Sequence, residues 1–197
     1  MITRGSITAV AGAGHGGLHP AAGGFAHALA GAGPVFLSFL AVHVAAGLTA
    51  VITGALAATA PKRRGRHTRC GTVYCGAITV VFATATAMTA LRPARDYYLF
   101  LLGALAFTLA AAGRDYRRRP DASLWRRWPG HAPHILAMSG SYVVLLTAFY
   151  VDNGKNLPVW DRLPTAAYWI LPALVAAPLT ARSLHRHRRP RPAIPPD

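Results

Sequence analysis

The chain has 197 residues, of which 53% are hydrophobic, and its mean hydropathy is +0.31. Lysine and arginine number 21 against six acidic residues, all of them aspartate, so the formal net charge is +15. The basic residues lie in short clusters between apolar blocks, which excludes an ordinary soluble domain and indicates a membrane protein and not a nucleic-acid-binding one.

Five apolar segments follow an N-terminal stretch, residues 1–33, that is rich in glycine and alanine and is interpreted as a flexible arm. They predict an all-α fold, a polytopic bundle of five transmembrane helices within residues 34–181. The basic, proline-rich residues 182–197 are expected to form a disordered tail. The predicted spans run from Pro34 to about Ala60, Cys70 to Leu91, Tyr97 to about Gly113, His131 to Gly154, and Thr165 to about Ala181.

Basic clusters alternate with basic-poor connections along these spans. The connections after the first and third spans are rich in arginine and lysine, as is the tail, whereas the other two connections carry few basic residues. The positive-inside rule therefore predicts that the N-terminus lies outside and the C-terminus in the cytosol.

His43 is the one ionisable residue deep inside a predicted span. On a helix it shares a face with small residues, so it is expected to point into the bundle. An intramembrane histidine is either a ligand or proton-handling group or a neutral hydrogen-bonding group between helices. No aspartate lies deep inside a predicted span, since Asp96 and Asp152 lie at the outer boundary, so we expect a neutral imidazole. Its plausible partners by residue type are Thr84, Thr86, Thr89 and Thr147.

A second group of candidate ligands lies at the predicted cytosolic boundary. His134 begins the fourth span, and Met138 lies one turn further on the same helical face, a pattern that suits a soft metal or haem iron. His67 and Cys70 share a face at the start of the second span, and His131 precedes His134. A metal set of His67, Cys70, His131 and His134 is predicted if the second and fourth spans pack side by side, with His67 and His134 within about 5–8 Å.

His43 and the boundary group of candidate ligands are expected at different depths in the membrane. Counting about 1.5 Å per residue from the ends of the spans, His43 and His134 should differ in depth by about 15 Å. Axial ligands of one iron cannot lie that far apart, so the two histidines should not share one haem.

Three blocks in the same order resemble the bacterial predicted membrane protein family called domain of unknown function 2306. They are His43 in the first span, the loop KRRGRHTRCGTVY, and the segment HILAMSGSYVVLLTAFYVDNG. The resemblance covers roughly residues 36 to 180 and implies a bundle of membrane helices in the bacterial inner (cytoplasmic) membrane. It points to His43, His67 and His134, although Cys70 stands where a less reactive residue is expected. It implies no reaction, and whether the chain is an enzyme stays open.

The preferred functional hypothesis is a histidine-ligated haem b or transition-metal centre with a redox role. His43, His67, His134 and Met138 are the candidate cofactor ligands. One alternative is a small proton-coupled transporter subunit, with His43 as the titrating group and Pro172 and Pro178 as hinges. Another is a non-catalytic membrane assembly partner. The lipid bilayer is the expected partner, and a homo-oligomer is left open.

Overall fold

The computed structural model describes residues 33–61, 65–91, 93–119, 130–158 and 160–188, with the backbone alone for 93–96 and 186–188. These residues form five α-helices, two 3₁₀ turns and no strand, which confirms the all-α prediction for the described part of the chain. The predicted arm, apart from Gly33, and the last residues of the predicted tail lie outside it. The helices are α1 (Pro34–Thr59), α2 (Arg66–Leu91), α3 (Pro93–Arg118), α4 (Ala132–Asn153) and α5 (Thr165–Arg188), with the 3₁₀ turns at Gly154–Asn156 and Trp160–Arg162.

Four of the five helices, α1 to α4, are long and apolar enough to cross a membrane. That is compatible with an integral membrane protein. Among the described helices α5 does not reach the same apolar length, so four of the five predicted spans are supported and the fifth crossing stays a prediction. The physical reason is that Pro172 and Pro178 interrupt its apolar run and Arg182 follows directly.

The helix boundaries follow local chemistry. Pro34 stands in the first turn of α1, where its missing N–H costs no hydrogen bond. The helices α2, α3 and α5 extend past the predicted spans into charged residues, because a helix continues beyond the apolar segment that a hydropathy pattern detects. In particular, α5 runs to Arg188, into the segment that was expected to be a disordered tail from residue 182.

The helices pack mainly against their neighbours in sequence, with α1 on α2, α2 on α3, α3 on α4 and α4 on α5. The backbones of α2 and α4 are not in close contact, but the side chains of the two helices meet in the core. The buried core there combines Tyr74, Ile78 and Val81 of α2 with Leu145 of α4. The condition set for a shared site, that the second and fourth spans pack side by side, is therefore met by side chains across the core and not by close backbones.

The small-residue face of α1 packs closely, as predicted. Ala50 is fully buried, and a Cβ added at Gly54 would lie 2.6 Å from the ring of Tyr142. The Tyr142 hydroxyl donates to the carbonyl of Val51 at 3.1 Å. Glycine at position 54 thus lets an aromatic ring of α4 lie directly against the backbone of α1.

Tyr168 fastens α5 to the turn after α4. Its ring is 1% exposed and lies so close to Gly154 that a Cβ there would be 2.7 Å away. Its hydroxyl donates to the carbonyl of Trp160 at 2.8 Å. The start of α5 is therefore held next to the C-terminal end of α4.

Candidate metal centre

His67 lies in the first turn of α2, next to the last turn of α1. Its Nδ1 lies 2.8 Å from the carbonyl oxygen of Ala57. That carbonyl is in the final turn of α1, where backbone oxygens lack a partner within the helix. A carbonyl oxygen only accepts, so His67 donates its Nδ1–H, and in the neutral ring the electron pair that binds a metal lies on Nε2.

His134 is held in the same way at the start of α4. Its Nδ1 lies 2.8 Å from the carbonyl oxygen of Gly113 in α3. This oxygen has two lone pairs, so it accepts from the imidazole in addition to its helical bond. His134 is therefore also an Nδ1–H donor, and the metal-binding electron pair of its neutral form is on Nε2.

The two imidazoles meet edge to face in the core. Their ring centroids are 6.5 Å apart, and the ring planes make an angle of 82°. The predicted proximity of His67 and His134 is confirmed, although their side chains reach it across the core and not between adjacent helices.

Open space and a thioether lie one turn deeper than the pair. A Cβ added at Gly71, on the same face of α2 as His67, would meet no atom within 4 Å. On α4, Met138 follows His134 by one turn and packs against Gly113, where an added Cβ would be 3.0 Å from its sulfur. The region beside the histidines thus combines room, a soft sulfur atom and two oriented imidazoles.

A buried hydroxyl network closes this region on its deeper side. Ser141 is fully buried and donates to the carbonyl of Ala106 at 2.8 Å. Its only proton is used there, so the Tyr74 hydroxyl, 2.7 Å away, donates to the Ser141 oxygen. Tyr74 and Ser141 are 67 positions apart in the chain, and so are His67 and His134. Helices α2 and α4 therefore run parallel, and residues that lie at the same depth differ by the same number. Helices α2, α3 and α4 are thereby joined about 10 Å deeper than the histidines.

His43 is far from this pair and has a different partner. Its Nδ1 lies 2.9 Å from Oγ1 of Thr84, one of the four predicted threonines. The Thr84 hydroxyl donates to the carbonyl of Val80 at 2.8 Å, so the His43 N–H donates to Thr84. His43 is separated from Ala57, the anchor of His67, by about 21 Å along α1. His43 thus lies far along α1 from the histidine pair, which agrees with the prediction that His43 and His134 do not share one iron.

The four predicted metal ligands are not gathered into one set. Within the described ranges no group of three or more histidine, cysteine or acidic side chains is arranged to hold a metal ion. Cys70 is a free, half-buried thiol, and His131 is exposed at the N-terminal cap of α4. The structure therefore brings together His67 and His134 and leaves Cys70 and His131 outside the pair.

Sequence reasoning missed the groups that orient the histidines. The carbonyls of Ala57 and Gly113 belong to residues whose type carries no signal for this role, so no pattern would have found them. The Tyr74–Ser141 contact could have been predicted from the spacing. Tyr74 lies two helical turns after His67, and Ser141 lies two helical turns after His134.

No known family model, curated protein or solved structure matches the chain. The resemblance to domain of unknown function 2306 therefore stays a prediction.

Proposed function

We propose that this chain is an integral membrane protein that holds one redox-active metal centre between His67 and His134. One observation supports the proposal above the others. Two imidazoles from different helices face each other with centroids 6.5 Å apart, and each ring is oriented by an Nδ1–H bond of 2.8 Å to a carbonyl. Histidines that bind metals usually donate the other ring N–H in this way, which orients the ring and raises its basicity.

The spacing would allow both rings to hold one ion. A metal–nitrogen bond of about 2 Å places an ion about 3.1 Å from a ring centroid. Two imidazoles on one ion would therefore have centroids at most about 6.2 Å apart. The observed 6.5 Å is close to that limit, so a small shift of the side chains would let both rings reach one ion.

His67 and His134 would hold one of two kinds of centre, a haem iron or a copper(I) ion. A structural zinc site requires four ligands, whereas no third histidine, cysteine or acidic ligand joins the pair among the described residues. The open space at Gly71 and the soft sulfur of Met138 are compatible with either centre. When bound, the metal supplies one-electron transfer, and the protein residues orient the two ligands.

A visible absorption spectrum and metal analysis of the purified full chain test the proposal. The protein is produced in a bacterial host supplied with a haem precursor and copper. A Soret band identifies haem, and copper without that band identifies the ion. We expect His67→Ala and His134→Ala each to abolish the signal, because one imidazole cannot complete a two-ligand site.

The matched control is His185→Ala, which removes an exposed histidine of α5. It should leave the signal unchanged, and circular dichroism should show that all variants are folded. Wild-type protein without haem or copper, or full retention of the metal in both site variants, would refute the proposal.

We also propose the orientation that the charge pattern predicts, with α5 as a fifth crossing and the N-terminus outside. Single cysteines replace Asn156, Ser123 or Ala193 in a chain that lacks Cys70 and Cys75. Intact cells should label Asn156→Cys with an impermeant thiol reagent and leave the other two unlabelled. Labelling at Ala193→Cys as well would mean that α5 does not cross, and the reverse pattern would overturn the orientation.

A further inference from the structure

A groove between α2 and α3 lies outside the histidine pair. It has a volume of about 330 Å³ and is lined by two helices that are long and apolar enough to span a membrane. The lining residues are Cys75, Gly76 and Thr79 of α2 and Phe107, Ala110, Ala111 and Arg114 of α3.

The groove exists because small side chains line its length. Gly76 and Ala111 are exposed on its rim, and Ala110, which is 2% exposed, forms its floor. Phe107 closes one end and is held by stacking on Phe82 with ring centroids 5.1 Å apart. The groove therefore opens towards the surface that spanning helices present to lipid.

Most of the groove is apolar, and its one hydroxyl is already bonded. The Thr79 hydroxyl donates to the carbonyl of Cys75 at 2.8 Å, so this hydroxyl requires no partner from a ligand. A volume of about 330 Å³ is within the range of ligand-binding clefts. Because its walls are mostly apolar, an aliphatic chain suits this space better than a polar solute does.

Arg114 supplies a charge at the other end of the groove. It lies two helical turns from Phe107, about 10 Å away along α3. No described residue is a hydrogen-bond or ion-pair partner of its guanidinium. A guanidinium near the end of a spanning helix can reach the headgroup level, and phosphate is an anion that guanidinium binds through two parallel hydrogen bonds. Arg66 and Arg69 at the start of α2 lie at the same end of the two helices and add to its attraction for anionic headgroups.

We propose that the groove binds one anionic phospholipid, with an acyl chain between α2 and α3 and the phosphate on Arg114. The occupant is a lipid and not a peptide, because the groove has no bonding group for a peptide backbone and its charge lies only at one end. The site is independent of the proposed metal centre.

Native mass spectrometry of the full chain in detergent tests this proposal. Delipidated protein is titrated with phosphatidylglycerol or phosphatidylcholine of identical acyl chains. Wild-type protein should bind one phosphatidylglycerol in preference to phosphatidylcholine. Arg114→Gln should weaken the preference by about fivefold, the effect of one basic residue near an anionic headgroup. Arg117→Gln, the same charge change at an exposed position of the same helix, should leave it intact.

A second variant separates the groove from the charge. Ala111→Phe fills the groove from its exposed rim and should remove bound lipid of both headgroups while the arginines remain. Equal losses in Arg114→Gln and Arg117→Gln would show only diffuse attraction and overturn the proposal. A dimer that Ala111→Phe abolishes would also overturn it, with a second copy of the chain as the occupant. If Ala111→Phe fails to fold, the two arginine variants still decide the outcome.

Discussion

Replacing Gly54 with alanine should destabilise the bundle. The new Cβ would lie 2.6 Å from two carbons of the Tyr142 ring and 3.2 Å from Tyr74. Carbon atoms prefer about 3.5–4.0 Å, so the overlap with Tyr142 is about 1 Å. That ring cannot move freely, because its hydroxyl donates to the carbonyl of Val51 and its centroid lies 6.3 Å from that of Tyr74. Overpacking of this kind typically costs about 1–3 kcal/mol.

Gly47→Ala is the matched control for this variant. Both glycines lie inside α1, so both substitutions add the same helix propensity, up to about 1 kcal/mol. A Cβ at Gly47 meets no atom within 4 Å, so the control has no opposing clash. The difference in the free energy of unfolding between the two variants therefore isolates the overlap with Tyr142, and we expect about 1–3 kcal/mol.

The assay is reversible unfolding in mixed micelles, followed by circular dichroism. In a Tyr142→Ala background the difference between the Gly54 and Gly47 variants should become much smaller, because only the 3.2 Å approach to Tyr74 is left. A Gly54→Ala variant as stable as Gly47→Ala would refute the close approach of α1 and α4.

Two further predictions concern buried hydrogen bonds. Ser141→Ala should lower the free energy of unfolding by about 1–3 kcal/mol, because it leaves the buried Tyr74 hydroxyl without its acceptor, whereas Tyr74→Phe should cost about 1 kcal/mol. Equal losses of unfolding free energy in Ser141→Ala and Tyr74→Phe would contradict the inference that the Tyr74 hydroxyl donates to Ser141. His43→Gln should stay folded and keep any metal signal at His67 and His134, because His43 bonds to Thr84 and lies about 21 Å away along α1. Loss of the signal in folded protein would instead make His43 a ligand.

The positions of the spans could be predicted because each is encoded locally. An apolar run of sufficient length, Pro34 before the first run and a basic loop after it are all visible in the sequence. The inward direction of His43 was equally local, since the small residues of α1 define its packing face. The sequence was not sufficient to predict whether α5 is a span. Its two prolines and its basic end leave an apolar run that is too weak to establish a span by composition.

The partners of the histidines were decided only by the tertiary structure. Four threonines were equivalent candidates for His43, and the rotation and register of α1 against α2 select Thr84. Depth alone placed His67 and His134 at one level, but the parallel register of α2 and α4 brings their rings to 6.5 Å. The carbonyls of Ala57 and Gly113 orient both rings although neither residue type signals it. The physical reason is that helix formation depends on neighbouring residues, whereas a contact across the bundle depends on how all the helices pack together.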